Sequence, residues 1–266
     1  MLPSVCATAI SAPRAAVPPR RNGGRRTRIA YLFRAARLIR EVGGKRDLLY
    51  WMSLDGECET GEFHTLTEPL HDEVFGTEVA FPYKFDPTYC PYRLGELQDM
   101  NTPENIAVCH KGDLFAPWVP SSVIYEVLNA AASAPLHQYF FLTRFPERYL
   151  EFPMKSPNSI YGVWIDRQGQ LQRLLQTEVP DVRYLVMEPM RSRIDLEQYL
   201  KASPHKPEWI LLGTGRLRYR KLIQPEWLSE IAETCRRHRI PLYMKKPLHA
   251  LAGNHFTQEI NPTLFW

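Results

Sequence analysis

The chain lacks any apolar run approaching the ~18 to 20 residues that a membrane span needs. Its longest, such as Tyr139-Phe140-Phe141-Leu142, are strand-sized. It also lacks paired cysteines. Cys6, Cys58, Cys90, Cys109 and Cys235 form an odd, scattered set with no C-x-x-C spacing, which leaves a zinc ribbon or redox pair unsupported and fits free thiols in a reducing compartment. With 23 prolines in 266 residues, long unbroken helices are not expected. What remains is ordinary for a soluble globular chain: 44% hydrophobic and 23% charged residues, which excludes a collagen-like, coiled-coil or wholly disordered protein. The length suffices for one sizeable core or two small ones.

The formal charge of +4 is unevenly spread. Residues 1–40 carry nine arginines and no acid, so positions 41–266 hold 24 basic against 29 acidic residues, a net charge of −5. A global electrostatic case for nucleic-acid binding therefore fails. Residues 1–28 read as a disordered basic tail. Their Arg-rich, acid-free composition also suits an organellar transit peptide, but no secretory apolar core is present and the protein is expected in the cytoplasm. Residues 29–45 read as an N-terminal helix, with Ile29, Leu32, Phe33, Ala36 and Ile39 on one stripe and Gly43-Gly44 stopping it.

Residues 46–250 read as one β/α barrel domain, followed by a C-terminal extension over 251–266. Asp47–Met52 suggests a short strand, and 53–104 is irregular, with an aromatic and proline-rich patch from Phe81 to Pro87. Six short, nearly continuous apolar runs follow at Ile106–Cys109, Tyr139–Leu142, Ile160–Trp164, Val182–Met187, Trp209–Leu212 and Leu242–Met244, as strands buried on both faces should be. Helix signals lie between them. Ile124, Val127, Leu128 and Ala131 follow Ser122; Pro146 suits a first helical turn; Leu171, Leu174 and Leu175 mark a third segment. Asp195 with Gln198 resembles a capping box, and Pro225 opens a helix with Trp227, Leu228, Ile231 and Cys235 inward and Arg236, Arg237 and Arg239 at its end. The alternation predicts an α/β protein with a parallel sheet. An open nucleotide-binding sheet would carry a Gly-rich turn after its first strand; none occurs near residues 52–56, so a full or partial TIM-type (β/α) barrel is favoured.

Parallel β/α folds place their working residues at the carboxyl ends of the strands. Those ends read His110-Lys111-Gly112-Asp113, Thr143-Arg144, Asp166, Glu188-Pro189, Gly213-Thr214-Gly215-Arg216 and Lys245-Lys246. Each has a plain structural reading: Asp113 as a turn cap, Glu188 in an ion pair with a partner such as Arg216, Gly213-Thr214-Gly215 as a tight turn rather than a phosphate cradle. His137 reads as a satisfied core or loop histidine. Cys109-His110 with Cys90 is a weak metal trio, because adjacent strand residues face opposite ways.

Taken in order, the strand ends carry a resemblance. Val108-Cys109-His110-Lys111-Gly112-Asp113-Leu114-Phe115 with Val119-Pro120, Leu142-Thr143-Arg144-Phe145-Pro146-Glu147-Arg148, Asn158 with Gly162-Val163, Glu188-Pro189-Met190 and Trp209-Ile210-Leu211-Leu212-Gly213, with Pro225-Glu226-Trp227, Cys235 and Lys245, are similar to the ordered motifs of a phage-associated family of unknown function. Its members are radical-SAM-like barrel proteins, and the similarity spans roughly residues 81–247. The resemblance implies that Gly112, Asp113, Gly213 and Thr214 face a cofactor, S-adenosylmethionine. It implies that Glu188 and Lys245 line a substrate cavity as acid and base or as a charge pair, and that Arg144 holds an anionic group. Departures go with it. The family's three-cysteine cluster motif, which would hold an iron–sulfur centre, has no counterpart in the spacing of Cys6, Cys58 and Cys90, so no iron–sulfur cluster is expected. The family's Gly-Gly-Glu-Ser reads Gly213-Thr214-Gly215-Arg216. The expectation is a phage or mobile-element protein with a degenerate cluster segment that retains S-adenosylmethionine or anionic, nucleotide-like ligand binding. The alternative is a catalytically inactive scaffold with a protein partner.

Overall fold

The computed structural model describes residues 63–71, 87–99, 101–109, 112–152, 156–215 and 217–265. The expected tail, the 29–45 helix, the Asp47–Met52 strand and most of the aromatic patch lie outside them, as do Cys6, Cys58, His110, Lys111 and Arg216. A short parallel pair, β1 (His64–Thr65) with β2 (Thr88–Tyr89), falls in the stretch expected to be irregular. A six-stranded sheet follows: β3 (Asn105–Ala107), β4 (Gln138–Thr143), β5 (Ser159–Trp164), β6 (Val182–Met187), β7 (Trp209–Leu212) and β8 (Leu242–Met244). Its order, β3-β4-β5-β6-β7-β8, places each strand beside the next in the chain. A doubly wound sheet would reverse order at a switch point; this is the order of a partial barrel. Closure into a full TIM barrel is not seen among the described residues. The described residues fall into two compact units, one within 63–114 and 118–140, the other within 115–117 and 141–265.

In the first unit β3 pairs in parallel with the start of β4, Ile106 opposite Tyr139. The apolar run through Cys109 gives strand only to Ala107, because Cys109 adopts a left-handed φ of 52° and its carbonyl accepts from Gly112 N–H at 2.9 Å, closing a turn. Helix α1 (Glu96–Asp99) is short. Helix α2 (Ser121–Ser133) buries Ile124, Val127 and Ala131 of the expected stripe and Val123 with them, while Leu128 is only half-buried. His137 is fully buried, its Nδ1 accepting from Glu104 N–H at 3.3 Å and its Nε2 meeting Leu97 O at 3.0 Å. Both ring nitrogens are thereby used by backbone, which fits a structural histidine with Nε2 protonated.

In the second unit β5 to β8 lie parallel, with Trp164 opposite Val186, Val186 opposite Leu211 and Leu211 opposite Tyr243. The Pro146–Glu151 segment is a 3-10 turn rather than an α-helix, and an aromatic cluster of Phe115, Phe141, Tyr149 and Tyr161 forms beside it. A Cβ at Gly162 would run into the Tyr184 ring, so glycine there lets the ring cross β5 and its hydroxyl donate to Phe141 O at 2.7 Å. Helices α3 (Gln168–Thr177), α4 (Leu196–Ala202) and α5 (Pro225–His238) connect the strands. Asp195 caps α4, accepting from Gln198 N–H at 2.9 Å. In α5 Leu228, Ile231 and Cys235 are buried but Trp227 is only half-buried. After α6 (His249–Ala252) the chain returns along β8: Met244 N–H bonds to Thr257 O, Glu259 N–H to Leu242 O, and Tyr243 bridges Gln258 in antiparallel sense.

Candidate functional site

The register of the second unit fixes what meets at its carboxyl ends. Met187 lies opposite Leu212, and Leu212 opposite Met244. The next residues, Glu188, Gly213 and Lys245, therefore stand side by side on adjacent strands. The ladder runs on through them, since Gly213 N–H bonds to Met187 O at 3.1 Å and Lys245 N–H to Leu212 O at 2.9 Å. Period-two alternation puts Glu188 and Lys245 on the sheet face that also carries Trp164, Tyr184, Leu211 and Tyr243.

There the two side chains form an ion pair: Lys245 Nζ donates to Glu188 Oε2. Both are buried, Glu188 at 3% and Lys245 at 7% exposure. The second carboxylate oxygen, Oε1, accepts from Gly215 N–H at 3.1 Å, with Gly215 at a left-handed φ of 61°. A Cβ at Gly213 would overlap the Glu188 carboxylate, so the glycine is what leaves room for the acid. Thr214 is buried within the same turn. The Gly213-Thr214-Gly215 turn thus spends one of its N–H groups on a carboxylate of the protein itself.

Arg144 follows β4, and its Cζ lies 4.4 Å from the centroid of the Trp164 ring, a cation–π contact. Trp164 ends β5, is 5% exposed, and its Nε1–H has no hydrogen-bond partner among the described residues. A buried N–H left unsatisfied costs about 1–3 kcal/mol, so an acceptor brought to it is favoured. Asp166, also buried, is held by Arg167 Nε at 3.0 Å and Arg191 Nε at 3.2 Å. This is a structural ion-pair cluster. Gly112 and buried Asp113 belong to the first unit, in the turn after β3.

Of the residues expected from sequence, the structure joins Glu188, Lys245, Gly213 and Thr214, and sets Arg144 on Trp164. Trp164 itself was not singled out, because the last apolar residue of a buried strand reads as core. Desolvation pushes the Tyr161 phenol and the Cys235 thiol each up to about 12 and holds Tyr184 well above the usual phenol range.

A parallel α/β protein with a buried charge pair where its strands end is the class that these features define. A family described as "Protein of unknown function (DUF5131)" matches residues 63–257, and the chain belongs to that family. No curated protein and no solved structure matches it. Among the described residues no helix is long and apolar enough to cross a membrane.

Proposed function

We propose that the second unit binds a small zwitterionic, nucleotide-like ligand at the carboxyl ends of its strands, S-adenosylmethionine being the ligand of choice, without iron–sulfur chemistry. The observation that carries this reading is the buried Lys245–Glu188 pair. Burying two ions costs several kcal/mol each, and well-packed apolar residues are often as stable. A pair retained at the end of the sheet where such folds bind ligands is best explained by exchange of partners: a ligand ammonium or sulfonium takes Glu188 while a ligand carboxylate takes Lys245.

The donor set fits S-adenosylmethionine by charge. Glu188 suits its cationic centres, Lys245 and Arg144 its carboxylate, and the unsatisfied Trp164 N–H any acceptor beside them. When bound, that ligand supplies carbon atoms activated by its sulfonium; the residues here bind and orient it. An iron–sulfur centre does not fit the described residues. No three His, Cys, Asp or Glu side chains among them could hold a metal, and burial keeps Cys235 a thiol. The resemblance to radical-SAM-like, phage-associated proteins supports the choice of ligand and a cytoplasmic setting.

A second reading, an inactive binding or scaffold protein, draws on Asp166 and Glu188. Both buried carboxylates at these strand ends are held by cations, so neither stands ready as a base. Calorimetry of the full chain with S-adenosylmethionine, on protein purified without oxygen and assayed for iron, separates the readings. One-site binding that Glu188→Gln and Arg144→Gln each weaken at least tenfold, with cooperative melting kept, is the expected result. No binding favours the scaffold. Stoichiometric iron overturns the loss of the cluster.

A further inference from the structure

We infer that the loops following β5 to β8 form a surface for single-stranded nucleic acid. The net charge of −5 over residues 41–266 hides a strong internal asymmetry. With Lys245 and Glu188 cancelling each other, the described side chains of those loops include Arg167, Arg191, Arg193, Arg220, Lys221 and Lys246 against only Asp166 and Asp195. The connections entering β6, β7 and β8 at the opposite end, 178–181, 203–208 and 239–241, hold Lys206 and Arg239 against Glu178, Asp181 and Glu208. The loops at one end carry an excess of cations and those at the other do not.

Burial hides one of the two acids. The Asp166 side chain is 4% exposed, whereas Arg167 beside it is 56% exposed, and Lys221 and Lys246 are exposed. Arg193 is paired with Glu230 of α5 at 2.7 Å, and Asp195 is exposed, so the cations these loops offer to solvent are chiefly Arg167, Arg220, Lys221 and Lys246. Four adjacent strands span ~15 Å at the ordinary inter-strand spacing, longer than one phosphate group, so the complementary ligand is a chain of phosphates. One aromatic ring lies within the same loops: half-buried Tyr219, with Arg191 Cζ 5.8 Å from its centroid on one face. Cations that follow a backbone, beside a planar surface on which bases stack, are what binds single strands without sequence preference. The inference does not rest on the small-ligand reading, since none of its residues belongs to the Glu188, Lys245 and Arg144 set.

The test is fluorescence anisotropy of the full chain with a labelled 12-nucleotide single-stranded DNA between 50 and 200 mM salt, with no S-adenosylmethionine present. Lys221→Glu with Lys246→Glu is expected to weaken binding at least tenfold. Loss of two phosphate contacts should also lower the slope of log affinity against log salt by about 1.4. Lys206→Glu, an exposed lysine at the opposite end, should change affinity less than twofold. Unchanged binding in the double variant would assign the affinity to the nine arginines of residues 1–40 and overturn the inference. So would equal losses at both ends, or inorganic polyphosphate competing as well as DNA per phosphate, which would mark a surface for polyanions in general.

Discussion

At the amino ends of β6 and β7, polar groups are closed off largely by backbone. Trp209 Nε1–H donates to Glu259 O at 2.9 Å and Asn261 Nδ2–H to Glu208 O at 3.0 Å, while Arg183 forks onto the Glu208 carboxylate at 2.7 and 2.8 Å. At the carboxyl ends the buried acids are closed off chiefly by cationic side chains, Glu188 by Lys245 and Asp166 by two arginines. A backbone partner cannot leave, whereas a side-chain cation can turn to a ligand. One end is fixed; the other has exchangeable partners.

The largest effect is expected of Lys245→Met. It leaves the Glu188 carboxylate buried without its counter-ion, and a loss of about 3–5 kcal/mol is expected in urea unfolding. Replacing both, Glu188→Leu with Lys245→Met, should return close to the parent stability while abolishing ligand binding. A double variant as unstable as the single one would mean that the pair is there for the fold.

The core between the two ends should respond chiefly to desolvation. Burial raises the Cys235 thiol from about 9 to about 12, so the folded state favours the neutral form. That contribution is whole below pH 9 and is lost as pH rises toward 12, a fall on the order of a few kcal/mol. Tyr161, raised from 10 to about 12, adds to the fall above pH 10. Cys235→Ala should flatten the stability profile between pH 9 and 10 and leave only the phenol contribution to the slope from pH 10 to 12.

Gly213→Ala comes next. Its methyl group would drive the Glu188 carboxylate from its place, costing about 1–3 kcal/mol as over-packing does, and S-adenosylmethionine affinity should fall with it in the calorimeter. The smallest effect belongs to Asp195→Ala, which removes the α4 cap for about 1 kcal/mol. Thermal melting should show that loss with ligand affinity unchanged.

Much of the sheet was legible because strands covered on both faces must be continuously apolar. The runs at Val182–Met187, Trp209–Leu212 and Leu242–Met244 coincide with β6, β7 and β8. The ends were less legible where backbone conformation intervened, as at Cys109, or where proline opened a tight 3-10 turn in place of an α-helix, as at Pro146. In the candidate site Glu188 and Lys245 could each be found as the first polar residue after a strand. Their union was implied only by the family resemblance; residue patterns alone do not give it, since it depends on register across an intervening strand, and Arg216 was an equally reasonable partner on that ground. The pairing of Gln258 with β8 left no trace, because Thr257-Gln258-Glu259 has no strand pattern of its own.

That last pairing has a practical meaning. By lying back along β8, residues 257–259 occupy N–H and C=O groups that would otherwise face outward as a template for another chain. Trimming the protein upstream of Thr257 would unzip this hem and leave a sticky border, so such shortened forms should self-associate even with the charge pair intact.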